Sequence, residues 1–188
     1  LETNLNYQGL SLKNIINPFL IEIFKSQILN NENLNAKINF EIKNIYDFDR
    51  FSDLLLRLNI EQGKMTFSKS KIKWKNNVNL FFEDAILDFE NEKIKFIGKI
   101  VVDIRDKDDF YKFFQVNKDL RKDLNKMEFD FNYDFNENKI YFDNLKLDNK
   151  TNESLEKFIS NFNSKNGKFF NKITFKTFVN KIFLAYFG

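Results

Sequence analysis

MEFDFNYDF (127–135) alternates without a break. Met127, Phe129, Phe131, Tyr133 and Phe135 are apolar, and Glu128, Asp130, Asn132 and Asp134 between them are polar. Side chains of a strand point to opposite faces in turn, so this stretch predicts a strand with one dry and one wet side. A short loop at Asn136 to Lys139 follows, and Ile140 and Phe142 begin a return strand. Leu145 and Leu147 are out of phase with Phe142, which places a bulge near Asp143. One-sided strands joined by short loops predict an antiparallel sheet.

The same alternation recurs upstream. Leu34, Ala36, Ile38, Phe40 and Ile42 interleave with Asn35, Lys37, Asn39, Glu41 and Lys43. Leu56, Leu58 and Ile60 alternate with Arg57, Asn59 and Glu61; Gly63 offers a turn, and Met65, Phe67, Ile72 and Trp74 resume the pattern. Ala85, Leu87 and Phe89 precede a turn at Glu90 to Lys93. A long strand then carries Ile94, Phe96, Ile100, Val102 and Ile104, with Gly98 expected at a bulge or bend.

Helical spacing marks the remaining segments. Asn17 and Pro18 suit a helix start, with Leu20, Phe24 and Ile28 at four-residue steps. Asp106 is a candidate cap for a helix with Phe110, Phe113 and Phe114, and Leu120 and Leu124 suggest a further turn or two. Thr151 or Asn152 opens a helix with Leu155, Phe158, Ile159 and Phe162. From about Asn171, Phe175, Phe178, Val179, Ile182 and Tyr186 form a last stripe. The polar stretch Asn161 to Lys168 reads as a helix–helix connection. The whole predicts one α+β domain over residues 1–188: a curved antiparallel sheet of hairpins with flanking and capping helices.

Composition narrows the chemistry. The chain of 188 residues has 30 basic and 27 acidic residues, and its net charge of +3 is too small to imply nucleic acid as a partner. Histidine and cysteine are absent, which removes histidine acid–base chemistry, thiol nucleophiles and disulfides. Five glycines and one proline leave no phosphate-cradling loop. An enzyme would need two acids converging in a cleft, whereas the acids fall in turns, helix starts and the wet phase of strands. The expectation is a protein without catalytic residues, metal or cofactor. Phenylalanine occurs 25 times, but A/T-rich codons explain such a count, and only the positions of the rings are informative.

Three polar groupings resolve into structural roles. Asp130, Asn132 and Asp134 have the opening spacing of a calcium loop, yet Phe135 and Tyr141 stand where that loop requires glycine and a bidentate acid. Asp106, Asp108 and Asp109 fit the positive end of a helix dipole. The Asn149 and Asn152 sequons are expected by chance in an Asn-rich chain. Lys165, Lys168, Lys172, Lys176 and Lys181 give the last segment five positive charges and no acid. A basic amphipathic helix there either rests on an anionic membrane surface, through Lys168, Lys172, Lys176 and Lys181, or simply packs its apolar stripe on the sheet.

The strongest grouping is the dry face of the sheet: Ile38, Phe40, Ile42, Phe67, Trp74, Phe89, Phe96, Phe129, Phe131, Phe135 and Phe142. Covered by helices, it is the core of a two-layer domain. Left open, it is a trough for acyl chains, each buried CH₂ contributing about 0.8 kcal/mol.

The stretches NLNAKINF (33–40), LNIEQGKMTF (58–67) and SKIKWK (70–75), with NKITFK (171–176) and AYFG (185–188), carry a resemblance. Their order and patterning over roughly residues 30 to 188 resemble the C-terminal region of AsmA-like proteins of low-GC alphaproteobacteria. The resemblance implies a β-groove related to the TamB type and a role in phospholipid transport and outer-membrane biogenesis. It also implies a periplasmic domain anchored in the inner membrane by an N-terminal segment outside this chain, consistent with a sequence that opens on Leu1. It supplies no catalytic residue. The expected partners are phospholipid, a membrane surface and other envelope proteins. The alternative is a structural or protein-interaction module with a fully covered core and no ligand.

Overall fold

A computed structural model describes residues 2–10, 22, 26, 31, 33–46, 50–62, 64–74, 78–90, 93–137, 139–165 and 172–188. It is a mixed α+β fold. The strands are β1 (Glu2–Leu10), β2 (Ala36–Ile45), β3 (Phe51–Glu61), β4 (Lys64–Phe67), β5 (Ser70–Trp74), β6 (Val78–Glu90), β7 (Lys93–Ile104), β8 (Lys126–Asp134) and β9 (Lys139–Leu147). The helices among the described residues are α1 (Lys107–Phe114), α2 (Glu153–Lys165) and α3 (Lys172–Phe187), with a 3-10 turn at Lys118–Leu120. Of the helix expected after Asn17 and Pro18 only Glu22 and Ser26 are described; Glu22 is helical, the Ser26 N–H donates to Glu22 O at 2.9 Å, and Leu20, Phe24 and Ile28 lie outside the described residues.

All nine strands join one sheet in the order β1-β2-β3-β4-β6-β7-β8-β9, with β5 between β3 and β6. β4 and β5 therefore share one ladder position, interrupted at Lys69, whose φ is 53°. The break leaves the Arg57 N–H without a ladder carbonyl, and the hydroxyl of fully buried Ser70 accepts it at 2.9 Å. An unpaired buried donor costs about 1–3 kcal/mol. Ser70→Ala is expected to destabilise the protein by that amount in urea denaturation, whereas an unchanged midpoint would mean that the N–H is satisfied elsewhere.

Every pairing is antiparallel except β1 on β2, which is parallel. β1 was not evident from sequence: only Leu5 and Tyr7 mark its phase. The Asn39 side-chain amide donates to Asn4 Oδ1 at 2.8 Å, and that of Asn44 donates to Gln8 O at 2.9 Å, clamping β1 through side chains.

Bulges set the bends. The expected irregularity near Asp143 is present: the β8–β9 register shifts opposite Phe129, and Asn144 has φ 51°. The bend expected at Gly98 sits instead on the neighbouring strand. β7 runs straight through Gly98, while β6 inserts Asp84 (φ 50°) and Ala85 against it. A Cβ on Gly98 would lie 2.6 Å from Ala85 Cα, so the glycine is required by close approach. β3 has a matching shift at Asp53, φ 47°.

The helix starts follow the sequence. The Asp106 carboxylate accepts from the Asp109 N–H at 3.0 Å, and Asn152 Oδ1 accepts from the Leu155 N–H at 2.8 Å. Beyond the turn at Lys118–Leu120, residues 121–125 are not helical, so the second turn expected near Leu124 does not form. Asn161 to Lys165, expected in a connection, belong to α2.

Candidate functional site

The ladder register puts the sequence-predicted apolar set on one face. Ala36, Ile38, Phe40 and Ile42 of β2 stand opposite Ile60, Leu58, Leu56 and Leu54 of β3. Met65 and Phe67 stand opposite Leu87 and Ala85; Phe96 and Ile100 stand opposite Tyr133 and Phe129. This face divides into three parts by what lies on it.

The first part, built by β5 to β9, is covered by helices. Trp74 meets the rings of Phe110, Phe113 and Phe114, the nearest centroid being 4.8 Å away. Phe142 packs against Phe129 at 5.3 Å and stacks on Phe178 of α3 at 5.2 Å, while Phe162 of α2 closes on Phe178 at 4.7 Å. Between Phe129, Phe142, Leu145, Ile159, Phe178 and Ile182 only a void of about 10 Å³ remains. That is the size of one water and far below an acyl chain.

The second part is the aromatic seam over the β6 bulge. Ala85 and Gly98 leave a shallow floor there. The rings of Phe67 and Phe96 meet above it at 5.2 Å, Phe96 and Phe131 at 5.0 Å, and Phe82 joins at 6.3 Å from Phe96. Edge-to-face pairs of this kind add about 0.5–1.5 kcal/mol each beyond burial.

The third part, on β1 to β4, is mainly aliphatic. Its clusters join Ala36, Leu58, Ile60, Met65, Phe67, Ala85 and Leu87, and separately Ile42, Ile45 and Leu54. No helix side chain among the described residues belongs to either cluster. Ile38 and Phe40 are half-buried here. Phe135 packs at the margin of this part with its ring 4.7 Å from Tyr133. Phe89 occupies its expected strand position opposite Ile94, and its side chain lies outside the description.

Of the C-terminal lysines, Lys176 and Lys181 do not share a face of α3. Lys176 Nζ sits 4.5 Å from the centroid of the Phe113 ring, which the Arg50 guanidinium also approaches at 4.5 Å. Lys181 is exposed and, five residues on, lies about 140° further around the helix. Lys168 and the side chain of Lys172 lie outside the described residues. α3 is broadly apolar rather than two-faced: Phe178, Val179, Ile182 and Phe183 are buried, while Ile173 and Leu184 project outward at 76% and 60% exposure.

The acidic groups hold structural posts. The Asp134 carboxylate accepts from the N–H groups of Asn136 and Glu137 at 2.8 and 3.0 Å, fixing the β8–β9 turn. Glu128 is held below the usual carboxylate range by its hydrogen bond and ion pair with Lys126. Burial, reinforced by Asp123 and Asp148, pushes the Tyr111 phenol up to about 12 while it donates to Lys122 O. Among the described residues no three acids converge as a metal site.

One feature escaped sequence reasoning. Beyond the outer side of β9, a hollow of about 350 Å³ opens against α2, reaching from Asp143 and Lys146 to Glu156, Ser160 and Asn163. Its sequence signal is Asn163, a polar residue four positions after Ile159 on the apolar stripe of its helix. No family model matches the chain, and neither a curated protein nor a solved structure shows significant similarity to it.

Proposed function

We propose that this chain is a non-catalytic envelope module of the AsmA-like kind, holding hydrocarbon chains of phospholipid on the β1–β4 part of its sheet face. The observation that carries the reading is the register of β2 and β3. Four consecutive apolar pairs, Ala36 with Ile60 through Ile42 with Leu54, face the same way with no charge in phase. At about 0.8 kcal/mol per buried CH₂, a few methylenes there bind usefully without any polar contact. The helix-covered part acts as the folded anchor for this surface. Within the proposal the domain works in the periplasm, tethered to the inner membrane by a preceding segment.

The test is uptake of a fluorescent phosphatidylethanolamine by the purified chain, with lipid extraction and mass spectrometry of the untreated preparation. Wild type is expected to bind, and Phe40→Gln to bind about ten-fold more weakly, a loss of about 1.4 kcal/mol. Ile86→Gln, on the reverse face and 40% exposed, is expected to bind as wild type does. A lipid-free preparation that takes up no probe sinks the reading.

A second reading, a scaffold with a filled core that meets other envelope proteins, is favoured by one observation. Ile42, Leu58, Ile60 and Met65 are all at most 5% exposed. Failure of lipid uptake by a folded chain leaves this reading in place.

A further inference from the structure

We infer that the outer edge of β9, between Phe142 and Leu147, is a binding site for an extended polypeptide segment that adds to the sheet as a short strand. β9 ends the strand order, so among the described residues no strand lies on that side. Exposed strand edges carry donors and acceptors that recruit another backbone, and natural proteins block them where recruitment is unwanted. Among the described residues the edge is clasped by hydrogen bonds at two points, Phe142 and Leu147.

At one end the Asn163 carboxamide of α2 takes the place of a peptide group. The Phe142 N–H donates to Asn163 Oδ1 at 3.0 Å, and Asn163 Nδ2 donates to Phe142 O at 2.7 Å. This is the reciprocal pair of bonds that a residue of an adjoining strand would make. At the other end Leu147 and Lys150 exchange backbone bonds of 2.8 and 3.0 Å across the Asp148–Asn149 turn. Between these clasps the bulge at Asn144 turns the backbone, and the hollow of about 350 Å³ lies alongside it.

The hollow has the chemistry of a strand-binding slot. Its floor is apolar, with Leu145, Leu155 and Ile159 each at most 6% exposed. Its rim is polar: Asp143 and Glu156 against Lys146, with Thr151 and Ser160 adding hydroxyls. An extended segment would place one apolar side chain on the floor and a basic one toward Asp143 and Glu156. This edge lies at the opposite end of the strand order from β1–β4, so it stands or falls separately from lipid uptake.

The test uses short peptides selected from a phage-displayed random library against the full chain, followed by amide chemical-shift mapping and titration. The selected peptides are expected to alternate apolar and polar residues, to carry a basic residue, and to shift the amides of Asp143 to Lys146. Ser160→Trp changes an exposed position on the rim and fills the slot; it is expected to weaken these peptides at least about ten-fold while keeping the wild-type melting temperature. Asn163→Ala removes the internal stand-in; it is expected to lower thermal stability yet bind the same peptides more tightly, because Phe142 becomes available to them. The inference is overturned by selected peptides that shift no amide of Asp143–Lys146, or that bind Ser160→Trp as well as wild type. A library that yields no binder to the folded chain overturns it too.

Discussion

Gly98→Val is expected to leave no cooperatively folded protein, and Gly98→Ala to lower stability by about 3 kcal/mol, the upper end of overpacking costs. The β6 bulge sets two residues against this single glycine, drawing the Ala85 backbone toward it. A Cβ at position 98 would stand 2.6 Å from Ala85 Cα, 2.8 Å from its Cβ and 3.2 Å from its N. Those atoms belong to a central strand hydrogen-bonded on both sides, so no flexible side-chain end can swing away. The entropic gain from replacing a strand glycine, about 0.5–1 kcal/mol, is too small to offset this. Displacing Ala85 would also lift Phe67 and Phe96 out of contact and open the aromatic seam. Urea denaturation of wild type and Gly98→Ala measures the effect. In Gly98→Ala/Ala85→Gly the 2.8 Å contact is removed and the 2.6 Å one remains, so partial recovery is expected. A Gly98→Ala variant with the wild-type midpoint would mean that the strands are further apart here than the structure has them.

Much of this fold could be read from phase alone, because a half-buried strand must alternate and a bulge must reverse the alternation. Phe142 to Leu145 announces the β9 bulge in that way. The same reversal between Phe82 and Ala85 marks the β6 bulge, but Gly98 is the more conspicuous residue and draws the bend onto the wrong strand. The caps at Asp106 and Asn152 were legible because capping is local chemistry. β1 was not, since a parallel edge strand carrying only Leu5 and Tyr7 in phase resembles any polar stretch. For the candidate site, sequence identified which side chains share a face. It could not divide that face between the part closed by α1, α2 and α3 and the rest, because which helix lies over which strand depends on contacts far apart in the chain. The β9 slot was equally hidden, as Asn163 acquires its role only when α2 is placed beside Phe142.

Phe183→Ala is expected to cost about 3–5 kcal/mol, the range for deleting a buried ring. Phe183 is fully buried in α3, where its ring lies 6.2 Å from Phe110, 5.4 Å from Tyr111 and 5.8 Å from Phe187. It thus joins the last helix to α1, a contact that Asn180 reinforces by donating to Phe114 O. For a chain of this size each kcal/mol moves the melting temperature by about 2–4 °C, so a fall of roughly 6–20 °C is expected. Leu184, its neighbour in sequence, is 60% exposed, and Leu184→Ala is expected to stay within about 0.5 kcal/mol of wild type. Calorimetry of the two variants separates a docked α3 from one resting loosely on the sheet, because equal melting temperatures would deny any special burial to Phe183. The shape of the transition carries further information. The ladder from β2 to β9 is continuous, so losing the α3 contact should lower the whole protein in one step. Two resolved steps in Phe183→Ala would show that the β1–β4 part holds together without the helices.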